Sequence, residues 1–222
     1  MTFRNRIQYH LVKKLKISNK AAMVLIRTGQ ILVNEVITCE NIEIAETDSL
    51  QYNDVLLQKG KKLIYIAFYK PRGIETTLNT TITDNLKTIL PFKEAVYPVG
   101  RLDKDSEGLL LLTNDGKIFD KTLRQEHNIE KEYLVEVDKP ISDEFLMTMA
   151  TGVNILGKIT KVAKLEKLTD FQFNIILTQG LNRQIRRMCY KLGYEVQKLV
   201  RIRIGEHKLE VLKPLEYRYL DI

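Results

Sequence analysis

"YPVGRLDKDSEGLLLLTNDG", residues 97–116, sets four acidic residues around a run of four leucines, in a chain whose formal net charge is +7. The leucine run lies between polar, turn-forming residues, and this pattern predicts a buried β-strand. The acids are Asp103, Asp105, Glu107 and Asp115. Because a basic chain usually binds an anion, carboxylates gathered beside a buried strand require an explanation of their own.

One interpretation of the acidic cluster is a calcium loop. "DKDSEGLLLLTN" (103–114) has acids at positions 1, 3 and 5 and glycine at position 6 of the EF-hand pattern. Asn114 stands where that pattern requires a bidentate glutamate. Pro98 and Gly100 also interrupt the helix that should lead into such a loop. Calcium is therefore disfavoured.

Two further interpretations are structural and catalytic. Acids next to glycine commonly form turns, which accounts for Asp115 and Asp105. It does not explain why Arg101 and Asp103 stand two residues apart, where an extended segment would place both on one face. A carboxylate beside an arginine stays ionised at neutral pH and can attack an electrophilic carbon of a bound nucleotide.

The composition is that of a globular protein with one or two domains: 222 residues, 44% hydrophobic and 28% charged. No apolar run approaches the roughly 18 residues of a membrane span, and the first residues lack the apolar core of a signal peptide. Cys39 and Cys189 do not have the spacing of a zinc site. We therefore expect a cytoplasmic protein with no membrane association and no metal.

Basic residues are concentrated in two parts of the chain. The first 34 residues contain seven lysines or arginines and no acid, whereas residues 35–54 contain six acids and no base. Residues 181–213 contain nine bases and three acids. Two separate basic surfaces favour a long or folded anion such as a nucleic acid.

The N-terminal part predicts two helices followed by a β-ribbon. Ile7, Leu11 and Leu15 recur at helical spacing, and Ser18 is a favourable N-cap for a second helix. "QILVNEVITCENIEI" (30–44) is rich in β-branched residues and turns near Asn34. A helical dimerisation or capping domain is the alternative, and the absence of acids from the helical part argues against it.

Residues 54–62, "DVLLQKGKK", predict a linker, and we place the domain boundary after residue 58, giving domains 1–58 and 59–222. The sequence of the second domain predicts a mixture of strands and helices. The predicted strands are "LIYIAFYKP" (63–71), "KEYLVEV" (131–137) and "FQFNIILT" (171–178). The predicted helices lie near 83–90, 117–124 and 142–150 and, most clearly, in "NRQIRRMCYKLG" (182–193).

Several motifs together resemble a known enzyme family. Residues 97–116 are similar to the signature of the RNA pseudouridine synthases, and "KISNKAAMVLIRTGQILVNEVIT" (16–38) resembles the alpha-L RNA-binding domain. The remaining family motifs are "YKPRGIETT" (69–77), "EKEYLVEVD" (130–138) and "QGLNRQIRRMCYKLGYEV" (179–196). They occur in the family's order and spacing, and most resemble the RluF type of the RsuA family, which acts on large-subunit ribosomal RNA.

This resemblance implies a fold and a chemistry. The fold class is α+β: a small N-terminal alpha-L domain followed by a catalytic domain with a mixed, mainly antiparallel sheet. The reaction is the isomerisation of uridine to pseudouridine in 23S ribosomal RNA, without cofactor or metal. Alternatives are a transfer RNA pseudouridine synthase, or a catalytically silent assembly factor that only binds ribosomal RNA.

The resemblance also implies the site. Asp103 is the nucleophile, Tyr133 stacks on the target base, and Arg183 pairs with Asp103 and keeps it ionised. Arg101 either competes for Asp103 or enters the space left by the target nucleotide. Tyr133 as core packing and Arg183 as a phosphate contact remain alternatives. We expect a monomer bound to large-subunit ribosomal RNA, with transfer RNA as a second candidate partner. The candidate RNA-binding residues are Lys16, Lys20, Arg27, Arg186, Arg187 and Lys191.

Overall fold

A computed structural model describes residues 3–116 and 129–221. The chain divides into two compact units, Met1–Leu63 and Ile64–Ile222. We call them the N-terminal unit and the catalytic unit. The boundary predicted from the sequence falls after residue 58, and the assignment of separate functions to the two parts stays a prediction.

Two helices of the N-terminal unit follow the apolar spacing of the sequence. Helix α1 is Ile7–Leu15 and α2 is Asn19–Arg27, preceded by a short 3-10 helix at Phe3–Asn5. Ile7 and Leu11 are fully buried. The Ser18 hydroxyl accepts a 3.1 Å hydrogen bond from the Ala21 backbone N–H, which caps α2 as predicted.

The N-terminal unit also contains a four-stranded antiparallel sheet in the order β2-β1-β3-β4. The strands are β1 Ile31–Val33, β2 Val36–Thr38, β3 Leu50–Tyr52 and β4 Val55–Gln58. The predicted ribbon is therefore present. Its turn places Asn34 and Glu35 in the left-handed region, with φ values of 52° and 67°. Glutamate rarely adopts this conformation, so Glu35 adds local strain.

The prediction of a linker at 54–62 is wrong in its first half. Residues Val55–Gln58 form β4 and pair with β3, so they belong to the sheet. Gly60 is also packed, because a Cβ there would lie 2.3 Å from the Thr47 carbonyl oxygen. No residue of this short edge strand is fully buried, since Val55 and Leu56 are exposed and the next two residues are half-buried, so its pattern resembles that of a loop.

The catalytic unit is built on a nine-stranded sheet with one parallel pair, β7 with β13. The path β11-β12-β8-β13-β7-β5-β15 is extended by β14 on β13 and β6 on β7. These strands are β5 Tyr65–Lys70, β6 Tyr97–Val99, β7 Glu107–Thr113, β8 Lys131–Val137, β11 Lys164–Lys167, β12 Gln172–Leu177, β13 Val196–Ile204, β14 His207–Lys208 and β15 Tyr217–Tyr219. A separate hairpin joins β9 Asn154–Ile155 to β10 Lys158–Ile159.

Two α-helices of the catalytic unit pack on one face of this sheet: α3 is Asp143–Thr151 and α4 is Gln184–Lys191. Ser142 caps α3 as predicted, by accepting a hydrogen bond from Phe145 N–H. The helix predicted near 83–90 is reduced to a 3-10 turn at Leu86–Thr88. The helix predicted near 117–124 lies outside the described residues.

The core supports the predicted fold class. Phe145 and Met149 of α3 and Met188 of α4 pack against Val135 and Phe173 of the sheet. The same face also buries Phe68 and Leu110 on β5 and β7, and the opposite face buries Leu109 and Val200. The prediction of an α+β chain with a mixed, mainly antiparallel sheet is confirmed. None of the helices in the described ranges has the length and apolar character of a membrane span.

Candidate active site

A cleft of about 720 Å³ in the catalytic unit brings together the residues predicted to be catalytic. Arg101 and Asp103 line it from the loop between β6 and β7, and Tyr133 lines it from β8. Arg183 lines it from the start of α4. These four side chains are up to 82 positions apart in the sequence, and the fold brings them to one cleft.

Backbone contacts fix the loop that carries Asp103. The buried Thr76 hydroxyl donates a 2.7 Å hydrogen bond to the Leu102 carbonyl and accepts a 3.1 Å bond from the Leu102 N–H. The Gly73 N–H donates to the Lys104 carbonyl at 2.8 Å. The residues on either side of Asp103 are therefore tied to the segment that follows β5.

Arg201 on β13 supports the same loop from inside the sheet. Its side chain is 3% exposed. Its Nε donates to the Leu109 carbonyl at 2.8 Å, and its Nη1 donates to the Arg101 carbonyl at 3.2 Å. A buried guanidinium with backbone partners holds the loop against the sheet.

Gly108 permits the close approach of β7 and β13 beneath the cleft. Its φ is +106°, and a Cβ at this position would lie 2.4 Å from the Arg201 carbonyl oxygen. Only glycine avoids both the backbone strain and the collision. The glycine of the "SEGLLLL" stretch thus fixes the spacing between the loop and Arg201.

The carboxylate of Asp103 has no bonded partner in the described part of the chain. Within residues 3–116 and 129–221, no hydrogen bond or ion pair engages its side chain, while its carbonyl accepts from Ser106 N–H at 3.0 Å. Positive charge is nevertheless near: burial lowers the pKa values of Lys70 and Arg186, and electrostatic attraction to Asp103 partly opposes that lowering. Its position is set by its backbone, and its carboxylate is available to the cleft.

The predicted pairing of Arg183 with Asp103 is wrong in this structure. Arg183 Nη1 donates to Asp105 Oδ2 at 3.0 Å, two residues further along the loop. This hydrogen bond lowers the pKa of the Asp105 carboxyl, and the charges of Arg183, Arg186 and Arg72 lower it further. Local spacing could not distinguish two aspartates on one turn.

Arg183 also has an unusual backbone conformation. It is the N-cap residue of α4, with φ of 50° and ψ of 37° in the left-handed region. A bulky residue seldom adopts this conformation, and such strain is often found at functional positions. In this backbone conformation the Arg183 side chain extends toward the loop, and its guanidinium reaches Asp105.

Arg186 differs from its predicted role as an RNA contact. Its Nη2 donates to the Asp105 carbonyl at 2.8 Å and its Nη1 to the Val196 carbonyl at 3.0 Å. Burial lowers the pKa of this guanidinium, and the neighbouring charge of Arg183 lowers it further. Arg186 therefore joins α4 to the aspartate loop and to β13, and we reassign it from phosphate contact to positioning residue.

The position of Tyr133 is compatible with both interpretations given from the sequence, core packing and a stacking role, and the stacking role stays a prediction. Its ring packs against two hydrophobic clusters on one face of the sheet. It also lines the cleft and lies opposite Arg201 in the β8–β13 pairing. A tyrosine anchored on one side and open on the other can offer a ring face to a base.

Lys70 is a site residue that sequence reasoning missed. It is fully buried, and its Nζ donates to the carbonyls of Pro71 and Ile74 at 2.8 and 2.7 Å. Burial, with repulsion from Arg201, lowers the pKa of its ammonium group to about 8, against attraction from Asp103. Lysine is rarely buried, so no pattern would have predicted this, although the motif "YKP" contains it.

The other predicted RNA-binding residues are on the surface. Lys16, Lys20 and Arg27 are exposed on the N-terminal unit, and Arg187 and Lys191 are exposed on α4. Their positions are compatible with phosphate contacts. In the described part of the chain, no group of three His, Cys, Asp or Glu side chains could hold a metal ion.

Comparison with known proteins gives a consistent result. The family model described as RNA pseudouridylate synthase matches residues 64–191. The chain is 42% identical over 205 residues to "Dual-specificity RNA pseudouridine synthase RluF" of Escherichia coli strain K12, covering 91% of this chain and 71% of that protein. It is 33% identical over 196 residues to "Ribosomal large subunit pseudouridine synthase B" of Bacillus subtilis, covering 83% and 79%.

A solved structure supports the fold. A crystal structure of pseudouridylate synthase superposes with a TM-score of 0.67 at 29% sequence identity, covering 97% of this chain and 96% of that one. The similarity therefore extends across both units and contains the aspartate loop and α4.

Proposed function

The chain belongs to the RNA pseudouridylate synthase family, as an RsuA-type enzyme similar to RluF, and we propose that it isomerises a uridine of 23S ribosomal RNA with Asp103 as nucleophile. One observation carries the proposal. Asp103, Tyr133, Arg101 and Arg183 line a single cleft, and the Asp103 carboxylate is without a bonded partner among the described residues.

The reaction needs an ionised carboxylate at a fixed position. Asp103 attacks an electrophilic carbon of the bound uridine, and the bond between N1 and the ribose C1′ breaks. The freed base rotates, C5 bonds to C1′, and the bond that Asp103 formed breaks, which regenerates the free carboxylate. The hydrogen leaves C5 and N1 gains one, so the composition of the nucleotide does not change. No group outside the RNA and the protein is consumed.

The loop geometry supports a nucleophilic role for Asp103. Thr76 and Arg201 fix the backbone before Asp103, and Gly73 fixes Lys104 after it, so little motion would be needed to reach the reacting atom. A salt bridge to Asp103 would have stabilised the ground state of the nucleophile. The structure instead directs Arg183 to Asp105, and Asp103 receives only the longer-range attraction of neighbouring cations.

Tyr133 and the two arginines would receive the nucleotide. We assign to Tyr133 a stacking role on the target base, since its ring borders the cleft. Arg101 has an exposed side chain on the Asp103 loop, where it can fill the space that a flipped uridine leaves or contact its phosphate. Arg183 supplies positive charge at the same cleft.

Access to a stacked uridine requires base flipping, which costs a few kcal/mol. Phosphate contacts can offset that cost, and they come with strong salt dependence. We propose residues 1–58 as an RNA-binding domain that contributes Lys16, Lys20 and Arg27, and residues 59–222 as the catalytic domain that contributes Arg187 and Lys191. All five side chains are exposed.

The choice of 23S ribosomal RNA rests on the relatives. One is named for the ribosomal large subunit and others are named dual-specificity enzymes. Transfer RNA therefore stays the second candidate substrate. A monomeric state and a cytoplasmic location stay predictions.

The test is release of tritium from RNA made with C5-labelled uridine. Unmodified 23S ribosomal RNA, 16S ribosomal RNA and total transfer RNA are incubated separately with the parent protein and with Asp103→Asn, which preserves the shape of the side chain. We expect release from 23S ribosomal RNA by the parent and none by Asp103→Asn.

The outcomes separate the alternatives. Release from transfer RNA alone would move the substrate to that class, and equal release by both proteins would exclude Asp103 as nucleophile. Binding of 23S ribosomal RNA without release from any substrate would favour the assembly factor.

A further inference from the structure

A second groove of about 520 Å³ lies in the catalytic unit, between α4 and the β9–β10 hairpin. Its lining includes basic, aromatic and aliphatic side chains, chiefly Leu156, Arg183, Arg187, Tyr190, Lys191 and Tyr194. One acid, Glu195, also lines it. Four of its lining residues are cationic when Arg186 is included, so the groove is suited to a polyanion.

The two tyrosines that line this groove differ in their contacts and exposure. Tyr194 packs against Phe145 with ring centroids 4.2 Å apart, and its hydroxyl donates to the Pro140 carbonyl at 3.2 Å. Tyr190 is 82% exposed, and no described residue makes a ring contact or hydrogen bond with its side chain. Packing in the core therefore accounts for a tyrosine at position 194, but it does not account for one at position 190.

The cations beside Tyr190 are arranged for an external partner. Arg187 is exposed but ordered, because its Nε and Nη2 donate to the carbonyl and side-chain oxygens of Asn182 at 3.0 and 3.1 Å. Lys191 is exposed on the next position after Tyr190. Surfaces that bind single-stranded nucleic acids combine basic side chains with exposed aromatic rings. Arg187 and Lys191 provide the first, and Tyr190 provides the second.

The groove is continuous with the candidate active site through one residue. Arg183 lines both this groove and the cleft that contains Asp103. A strand that places one nucleotide in the cleft would thus meet the groove with the nucleotides next to it. No separate path along the surface is needed.

We propose that this groove binds the unpaired RNA nucleotides adjacent to the target uridine, with Tyr190 stacking on a base and Arg187 and Lys191 contacting phosphates. The inference rests on the proposed function and deepens it, since it assigns a binding site to the strand next to the reacting nucleotide. Stacking is tolerant of base identity, so the groove contributes affinity and placement of the strand.

The test measures RNA binding without turnover, so that it does not depend on catalysis. The probes are a single-stranded oligouridylate of 12 nucleotides and one of three nucleotides, each labelled with a fluorophore. Dissociation constants are measured for the parent, Tyr190→Ala, Tyr190→Phe and Tyr97→Ala. Tyr97 is an exposed tyrosine that lines neither the cleft nor the groove.

We expect Tyr190→Ala to weaken binding of the 12-mer by about 5- to 150-fold, the range for loss of one stacked base. Tyr190→Phe and Tyr97→Ala should bind like the parent, and the trimer should bind all four proteins equally. Equal binding of the 12-mer by the parent and Tyr190→Ala would overturn the inference, as would failure of the parent to bind the 12-mer. Loss of tritium release with Tyr190-dependent binding intact would count against the proposed reaction alone.

Discussion

Arg183 donates a hydrogen bond to Asp105, whereas no described residue binds the carboxylate of Asp103, two residues earlier on the same loop. Arg186 contacts the backbone carbonyl of the same Asp105. Two arginines of α4 therefore hold the loop through one aspartate, and the other aspartate faces the cleft. In the proposed mechanism, Asp105 supports the loop and Asp103 reacts with the RNA.

This division predicts how substitutions combine. Asp105→Asn removes the charge that holds Arg183. Because the loop is then held less firmly, Asp103 should be misplaced, and the rate constant for tritium release should fall by up to about 100-fold. If Arg183 acts through Asp105, the double variant Asp105→Asn with Arg183→Met should be no slower than the slower single variant. Additive losses would instead show that Arg183 acts on the RNA or on Asp103 directly.

The hydroxyl of Thr76 should be required for stability. Thr76→Val preserves the shape but leaves the Leu102 N–H and carbonyl without their partner. We expect the free energy of unfolding to fall by about 1–3 kcal/mol, the cost of a buried unsatisfied polar group. Urea denaturation measures it, with Thr76→Ser as the control that keeps the hydroxyl. A Val variant as stable as the Ser variant would contradict the expectation.

Gly108 should not accept a larger side chain. Gly108→Ala adds a Cβ that would meet the Arg201 backbone, at a φ that alanine rarely adopts. The loss of unfolding free energy should be at least about 1 kcal/mol. Gly116→Ala is the matched control, because a Cβ there meets nothing within 4 Å. Thermal denaturation of both variants should separate them, and equal midpoints would refute the close approach.

Lys70 should make stability depend on pH in the alkaline range. Burial lowers its pKa from 10.5 to about 8 in the folded chain. Between those pH values the unfolded chain binds a proton that the folded chain has released, so stability increases with pH, by at most about 1.4 kcal/mol per pH unit. Below pH 8 both states are protonated and this effect is absent.

Lys70→Met is the comparison that isolates this effect, since groups common to both proteins cancel. The difference in unfolding free energy, parent minus variant, should rise between pH 8 and 10 and stay flat between pH 6 and 7.5. Urea denaturation at each pH provides the values. A difference that is flat over the whole range would show that Lys70 keeps its ordinary pKa.

Much of the fold could be predicted from the sequence because local patterns encode it. The spacing of Ile7 and Leu11, with the cap at Ser18, gives the first two helices, and the leucine run gives β7. The prediction of a linker was wrong because β4 is a short strand on the edge of its sheet, and none of its side chains is fully buried. Strand pairing between distant segments is not visible in either segment alone.

The sequence predicted which residues form the site but not which of them bind one another. The motifs identified Asp103 and Tyr133, and the cleft contains both. The partner of Arg183 depends on the turn of the loop, which Thr76 fixes from another segment. The burial of Lys70 likewise depends on carbonyls that only the folded chain brings together.

The parallel pairing of β7 with β13 also determines when the site can exist during synthesis. Arg201 is 92 positions after Leu109, the carbonyl of which it binds. At about 5–20 residues per second, a ribosome makes Arg201 roughly 5–18 s after Leu109. During that interval the nascent chain has the aspartate loop without the arginine that holds it. The cleft is therefore assembled late, once β13 has been made.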